Sequence, residues 1–112
     1  LLPETWGLIG REALRRMKRG AFLINTCRGA VVDQAALVEA LQEGWIAGAG
    51  LDVFDPEPLP QDSPLLRLEN VIVTPHMAAY TKEGLLHMAM SVVNDVLAVI
   101  EGGIPKHPER YP

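Results

Sequence analysis

The stretch from Ala21 to Gly29 reads AFLINTCRG and decides the fold of this chain. Its first five residues form a mainly apolar run, with Asn25 as the last residue, that is too short for a helix, and polar residues follow directly. An apolar run that faces both sides is typical of a buried strand in a parallel sheet. The stretch therefore predicts a strand that ends in a polar loop containing Thr26, Cys27 and Arg28.

Helical patterns lie on both sides of this strand. Between Gly10 and Gly20 the apolar residues recur at intervals of three and four, which predicts a short helix with Gly20 at its C-terminus. Asp33 is a typical N-cap for a second helix, and Gly44 stands just past the end of that helix's apolar stripe.

The longest helical pattern runs from Thr81 to about Gly102, and residues 103–112 form a tail without periodicity. We expect this tail to be a surface strap or disordered, with His107 simply solvated. The helix carries its apolar residues on one face. That face is too large for this chain to cover, so four of its residues are expected to be partly exposed or covered by another chain: Leu85, Val92, Val96 and Ile100.

Two further strands are predicted at residues 46–53 and 71–74. Between them lies a loop rich in proline, residues 54–60, which cannot continue a strand or helix because proline lacks the N–H donor. Strands that alternate with helices favour right-handed crossovers and an α/β fold. We therefore predict that the strands near Phe22, Ala49 and Ile72 lie side by side in a parallel sheet covered by helices on both faces.

The residues that can do chemistry follow the carboxyl ends of the three predicted strands. Arg28 follows the first strand, Asp52 and Glu57 follow the second, and His76 follows the third. Ligands of parallel α/β sheets bind at this edge. One cation, two carboxylates and one imidazole are therefore expected to converge on one rim of the sheet.

Four motifs at these positions resemble those of the D-isomer-specific 2-hydroxyacid dehydrogenases. They are residues 23–29 (LINTCRG), 50–54 (GLDVF), 57–58 (EP) and 74–76 (TPH), in that order. The resemblance runs from about Leu2 to Gly102. It implies that residues 1–102 are the second half of a Rossmann-like parallel sheet with flanking helices, including the long helix at about 81–102.

The resemblance also implies roles for individual residues. Arg28 would bind the substrate, and His76 would be the general acid–base catalyst. Glu57 would form a hydrogen bond with His76, and Asp52 would contact the nicotinamide. The implied cofactor is NAD, with NADP not excluded, and no metal is expected. The cofactor-binding residues would be Thr26, Cys27, Arg28, Asp52, His76, Ala78 and Ala79.

These residue types suit the reduction of a 2-oxo acid. A protonated imidazole can deliver a proton to the carbonyl oxygen near neutral pH, and a neighbouring carboxylate favours its charged form. The guanidinium of Arg28 offers paired donors that match a carboxylate. The sequence departs from the family at residues 77–79, Met-Ala-Ala, where many members have a glycine, and at Cys27, where a smaller residue is usual.

Composition sets limits on partners. A net charge of -4 argues against a nucleic-acid partner, and a single cysteine, Cys27, excludes an intrachain disulfide. No apolar segment approaches the ~20 residues that span a bilayer, so no membrane partner is expected. We expect a cytoplasmic protein that acts on a small 2-hydroxy or 2-oxo acid and forms a homodimer at full length.

Alternatives to this enzyme remain open. The same fold could serve a dinucleotide-sensing binding module such as a corepressor, and a chain that opens on Leu1 could be an inactive truncated product. Formate dehydrogenase pairs its histidine with glutamine, so Glu57 argues against it. The 112 residues contain no Gly-x-Gly-x-x-Gly turn and are expected to bind NAD weakly alone. Phosphoglycerate, hydroxypyruvate, glyoxylate and lactate-like substrates are not distinguished.

Overall fold

The computed structural model describes residues 1–108, and within them the chain forms an α/β fold. Two compact units, Leu1–Ala78 and Ala79–Pro112, are described separately below. The helices and strands, in chain order, are α1 (Arg11–Arg16), β1 (Phe22–Asn25), α2 (Gln34–Gln42), β2 (Gly48–Leu51), β3 (Val71–Val73) and α3 (Lys82–Ile100).

The first unit is built on a parallel sheet in the order β1-β2-β3. Asn25 pairs with Leu51, and Leu51 pairs with Val73, so the carboxyl ends of the three strands are level. The predicted parallel arrangement is confirmed. Because the strands end level, the residues that follow them start from one edge of the sheet.

Helices α1 and α2 cover one face of this sheet. The core contains Leu14 of α1 and Leu37 of α2, which pack with Leu51 of β2 in one cluster. Leu14 and Leu37 are fully buried, as are Ile46 and Leu65. Each such side chain contributes about 1.5–3 kcal/mol by burial, so this face holds the unit together.

The other face of the sheet is open in the part of the chain that the structure describes. Phe22, Ile24 and Ile72 are 67%, 68% and 73% exposed. The expectation that helices cover both faces is wrong for these residues. Alternate side chains of a strand point to opposite faces. Leu23 and Asn25 are accordingly the less exposed residues of β1.

The structure confirms the predicted ends of α2 but not the predicted end of α1. Asp33 caps α2 as predicted, since its Oδ1 accepts a hydrogen bond of 3.0 Å from the Ala36 amide, and Gly44 has the expected positive φ of 66°. The prediction that Gly20 ends α1 is wrong. The chain becomes extended at Met17, and a separate turn follows, closed by a 2.8 Å hydrogen bond from the Ala21 amide to Lys18.

The second unit consists of α3 and the segment that follows it. Thr81 caps α3, its side chain accepting a hydrogen bond from the Gly84 amide. Within the described residues no side chain of α3 is buried. The four residues expected to be exposed are exposed: Leu85 49%, Val92 64%, Val96 52% and Ile100 75%.

One described helix is long and apolar enough to cross a membrane by length and composition alone. It is α3, with 19 residues and a mean hydropathy of 1.4. The expectation that no segment approaches the length of a membrane span was wrong. It was based on uninterrupted apolar runs, whereas α3 mixes apolar with polar residues. Core helices of soluble proteins also meet this criterion.

The segment after α3 folds back onto the helix. The Lys106 amide donates a 2.8 Å hydrogen bond to Asp95 Oδ1, and His107 Nδ1 lies 3.0 Å from Asp95 Oδ2 and 3.3 Å from Ser91 Oγ. His107 is exposed, as predicted, but it also contacts Asp95 and Ser91, and a surface strap fits residues 106–107. The predicted tail also includes residues 109–112, which lie outside the described residues.

Candidate active site

The loop after β1 presents Arg28 at the carboxyl edge of the sheet. Asn25, which is 7% exposed, holds this loop with both ends of its amide. Its Oδ1 accepts a 3.1 Å hydrogen bond from the Cys27 amide, and its Nδ2 donates a 2.9 Å hydrogen bond to the Arg28 carbonyl. The Arg28 side chain is exposed and donates from Nη1 to the Cys27 carbonyl at 2.7 Å. Within residues 1–108 its other N–H groups make no hydrogen bond, so a ligand can use them.

Gly29 brings this loop against the chain that follows β2. A Cβ atom at Gly29 would lie 1.9 Å from the backbone carbonyl carbon and oxygen of Phe54. No side chain fits that space, so only glycine permits the approach. The contact ties the Arg28 loop to the loop that carries Glu57.

Glu57 is held in place by a backbone donor and faces His76. Its Oε1 accepts a 2.8 Å hydrogen bond from the Phe54 amide, and its Oε2 lies 3.0 Å from His76 Nδ1. The Phe54 amide is the largest cause that lowers the pKa of Glu57, followed by the hydrogen bond with His76. The charge of Arg28 lowers this pKa further. Glu57 is therefore ionised beside the imidazole at neutral pH.

His76 occupies a backbone conformation that side chains other than glycine rarely adopt. Its φ is 53°, in the left-handed region. Its amide donates hydrogen bonds to the carbonyls of Asp52 at 2.8 Å and Thr74 at 3.1 Å. This turn directs the imidazole toward Glu57.

Asp52 lies under the His76 turn and is only 3% exposed. Its Oδ1 accepts hydrogen bonds from the Thr74 hydroxyl and, at 2.9 Å, from the Met77 amide, while its Oδ2 accepts a 2.8 Å hydrogen bond from the Ala78 amide. The Thr74 hydroxyl is the largest cause that lowers the pKa of Asp52; burial opposes it, and the two amides and the charge of His76 add to the lowering. The carboxylate is thus ionised and largely engaged by donors of the protein. The nicotinamide contact expected for Asp52 stays a prediction.

The structure brings Arg28, Glu57 and His76 to one edge of the sheet. Thr26, Cys27 and Ala78 are exposed at that edge, and Ala79 is exposed in the second unit. Asn25 and Thr74 lie within the motifs noted in the sequence, but their supporting roles were not predicted, and neither was that of the Phe54 amide. A lone polar residue at the end of an apolar strand, as at Asn25, is a usable signal, since buried polar groups are nearly always hydrogen-bonded.

A cavity of about 550 Å³ opens beside the Glu57–His76 pair. Its walls are mostly apolar: Phe54, Pro58, Leu59, Leu66, Val73 and Pro75. An apolar wall lowers the local dielectric, which strengthens interactions between the charged groups at its rim. The cavity belongs to the same site.

A parallel α/β sheet with its polar residues at the carboxyl edge is typical of doubly wound α/β domains, the class that includes the Rossmann-type dinucleotide-binding domains. Within that class, the family described as D-isomer specific 2-hydroxyacid dehydrogenase, NAD binding domain, matches residues 1–78. The chain belongs to this family. The predicted fold class and the predicted family are confirmed.

Similar proteins agree with this assignment. A glyoxylate reductase of Korarchaeum cryptofilum is 57% identical over 94% of this chain, and glyoxylate/hydroxypyruvate reductase B of Pectobacterium carotovorum is 52% identical over 96% of it. A crystal structure of a D-isomer specific 2-hydroxyacid dehydrogenase from Xanthobacter autotrophicus, in complex with NADPH and MES, is 44% identical with a TM-score of 0.84, covering 97% of this chain and 45% of that one. The chain spans about a third of the length of the curated relatives, 32% and 33%.

The exposed edge fits the nicotinamide end of an NAD-type cofactor. Thr26, Cys27 and Ala78 are small and exposed at this edge, and Arg28 and His76 add exposed polar side chains there. Their contacts with a cofactor stay a prediction. These residues would hold the reacting end of the cofactor.

Proposed function

We propose that the protein reduces a small 2-oxo acid to the 2-hydroxy acid with a nicotinamide cofactor. The observation that carries the proposal is the 3.0 Å contact between Glu57 and His76 at the carboxyl edge of the sheet. An ionised carboxylate beside an exposed imidazole is an arrangement suited to proton transfer. When bound, the cofactor would supply the hydride, and the residues of this chain supply the proton and hold the substrate.

His76 is the proton donor in this proposal. Because Nδ1 faces Glu57, the other ring nitrogen, Nε2, is directed to the substrate carbonyl oxygen. The negative charge of Glu57 favours the protonated imidazole and fixes the orientation of the ring. Glu57 therefore acts through His76 and does not itself exchange the proton with the substrate.

Arg28 binds the carboxylate of the substrate. The hydrogen bond from Nη1 to the Cys27 carbonyl fixes the guanidinium plane at the edge of the sheet. The N–H groups left over can pair with two carboxylate oxygens, which a lysine ammonium cannot do in the same planar geometry. Arg28 also lowers the pKa of Glu57, which places its charge near the proton-donating pair.

Glyoxylate and hydroxypyruvate are the substrates that we propose. The support comes from the names of two similar proteins, a glyoxylate reductase and a glyoxylate/hydroxypyruvate reductase. The homodimer and the cytoplasmic location expected from the sequence stay predictions. Both NADH and NADPH belong in the assay, since a related crystal structure holds NADPH.

The test compares the pH dependence of turnover in wild type and Glu57→Gln. With the full-length protein, oxidation of NADH or NADPH by glyoxylate is followed by absorbance across the pH range. Glutamine keeps the shape and a hydrogen bond but removes the charge that favours imidazolium, so the upper pH limit of kcat should move down. The pKa of Glu57 lies below its ordinary 4.5, so its contribution should persist in acid and disappear as pH falls through that lowered value.

Glu69→Gln is the matched control. Glu69 is an exposed carboxylate of the same unit that makes no side-chain hydrogen bond or ion pair within residues 1–108. Its pH profile should match that of wild type. If the Glu57→Gln profile also matches wild type, the proton-transfer role is wrong. If cofactor binds but no 2-oxo acid is turned over, the chain belongs to a binding module.

A further inference from the structure

We propose that Asp52 is a positioning residue whose carboxylate holds the turn that presents His76. The structural part of this inference stands on the contacts of Asp52, and its catalytic consequence rests on the proposed function. In this proposal the buried carboxylate of Asp52 has a different role from the carboxylate of Glu57. Glu57 orients the imidazole ring, and Asp52 fixes the backbone from which the ring projects.

The first observation is that Asp52 binds the chain on both sides of His76. The Thr74 hydroxyl donates to its carboxylate from one side, and the amides of Met77 and Ala78 donate at 2.9 and 2.8 Å from the other. The amide of His76 itself donates to the Asp52 carbonyl at 2.8 Å. Four donors of residues 74–78 therefore end on one residue.

The second observation is the backbone conformation that these bonds enclose. His76 has a φ of 53°, where the Cβ of an ordinary residue is crowded. Such a conformation persists only where the surrounding contacts determine it. The four hydrogen bonds to Asp52 hold His76 in this conformation, because they fix the peptide groups before and after it.

The third observation is that position 52 requires a side chain that accepts hydrogen bonds and donates none. An ionised carboxylate offers two oxygens and about four acceptor positions, and three of these receive hydrogen bonds here. In an asparagine, one of the two oxygens would be replaced by an NH₂ group, which would face an amide N–H or the Thr74 hydroxyl. Since Asp52 is 3% exposed, water would replace the lost bond poorly.

The position of Asp52 makes the support rigid. It follows Leu51, the last residue of the central strand β2, and its own amide donates to the Asn25 carbonyl at 3.0 Å. Sites on regular elements are held more accurately than sites on loops, and Asp52 lies only one residue past the strand. Asp52 therefore transmits the geometry of the sheet to the turn that carries His76.

The competing role is a direct contact with the nicotinamide. A cofactor contact predicts that removing the charge weakens cofactor binding. A positioning role predicts that kcat falls while cofactor affinity changes little, because the proton donor is misplaced but the cofactor-facing surface is intact. The two roles are therefore separable by measurement.

The experiment uses the full-length protein with three variants. Asp52→Asn replaces one acceptor oxygen by an NH₂ donor, Thr74→Val removes one donor with little change of shape, and Asp62→Asn is the control at an exposed carboxylate. We measure kcat with glyoxylate at saturating NADH, the Kd of NADH by fluorescence titration, and the assigned imidazole resonances of His76 without substrate.

Asp52→Asn should lower kcat by on the order of 10²-fold, a part of the effect of a positioned acid, with the NADH Kd little changed and the His76 resonances shifted. Thr74→Val should act in the same direction but less, and it serves as the test if Asp52→Asn does not fold. Asp62→Asn should match wild type throughout. A rise in NADH Kd with kcat preserved and the His76 resonances unmoved would overturn the inference.

The outcomes also separate this inference from the proposed function. If wild type turns over no 2-oxo acid with either cofactor, the proposed function fails. The His76 resonances are recorded without substrate, so their shift in Asp52→Asn still supports the positioning role, and their constancy contradicts it.

Discussion

Replacing Gly29 by alanine tests whether the two loops of the site depend on one close approach. The new Cβ would lie 1.9 Å from the Phe54 backbone, and real Cβ atoms essentially never come within 3.0 Å of other heavy atoms. The backbone must therefore retreat by more than about 1 Å, and such overpacking typically costs about 1–3 kcal/mol. The Phe54 amide donates to Glu57 at 2.8 Å, so a retreat of the Phe54 backbone disturbs the geometry of this hydrogen bond.

The assay is denaturant unfolding together with steady-state kinetics of the full-length protein. Gly29→Ala should lose stability by the amount above and should also lose kcat, because Glu57 is released from its anchor. Gly20→Ala is the matched control, since a Cβ there meets nothing within 4 Å. It should stay within about 0.5 kcal/mol of wild type or gain slightly. The reasoning is refuted if Gly29→Ala matches wild type in both stability and kcat.

Two further predictions concern charged groups. Arg28→Lys keeps the charge but loses the paired donors, so kcat/KM for glyoxylate should fall roughly tenfold to a hundredfold, the value of a hydrogen bond to a charged group; unchanged kcat/KM would contradict the assigned role. The pKa of Asp95 is lowered because hydrogen bonds from the Lys106 amide and the His107 ring outweigh the opposing effect of burial, which is the largest single cause. The contact should therefore hold above the ordinary pKa of 3.8 and open as pH falls through the lowered value. Protection of the Lys106 amide from hydrogen exchange, relative to its intrinsic rate at each pH, should fall there in wild type and should be low already at neutral pH in Asp95→Ala; equal protection in both would rule the contact out.

The order and direction of the strands were predictable because they depend on local signals. An apolar run ending at Asn25, a second ending near Asp52 and prolines after each later strand are sufficient to place three strands and their carboxyl ends. The parallel pairing of β1 and β2 then follows from the crossover helix α2 between them, whereas β2 and β3 are joined by a long loop without an α-helix. The approximate position of the site was predictable for the same reason, because its residues are those that directly follow each strand.

The contacts that support the site were not predictable, because they join residues distant in sequence. The space that excludes a side chain at Gly29 is set by Phe54, and the donors to Asp52 come from residues 74–78. No local pattern encodes either contact. The exposure of Phe22 was missed for a related reason: an apolar side chain indicates a preference for burial but not which part of the polypeptide provides the cover.

The level strand ends have a consequence for changes in chain length. Arg28 stands three residues past the end of β1, Asp52 one residue past β2, and His76 three residues past β3. Each of these distances is short, so inserting or deleting even one residue within them would move a reacting group by about 3 Å, the length of chain that one residue adds. The exposed residues 60–62 lie far from any strand end, and extra residues there would leave the register of the sheet unchanged. Length variation among descendants of this gene should therefore accumulate between the site-bearing segments and be absent inside them.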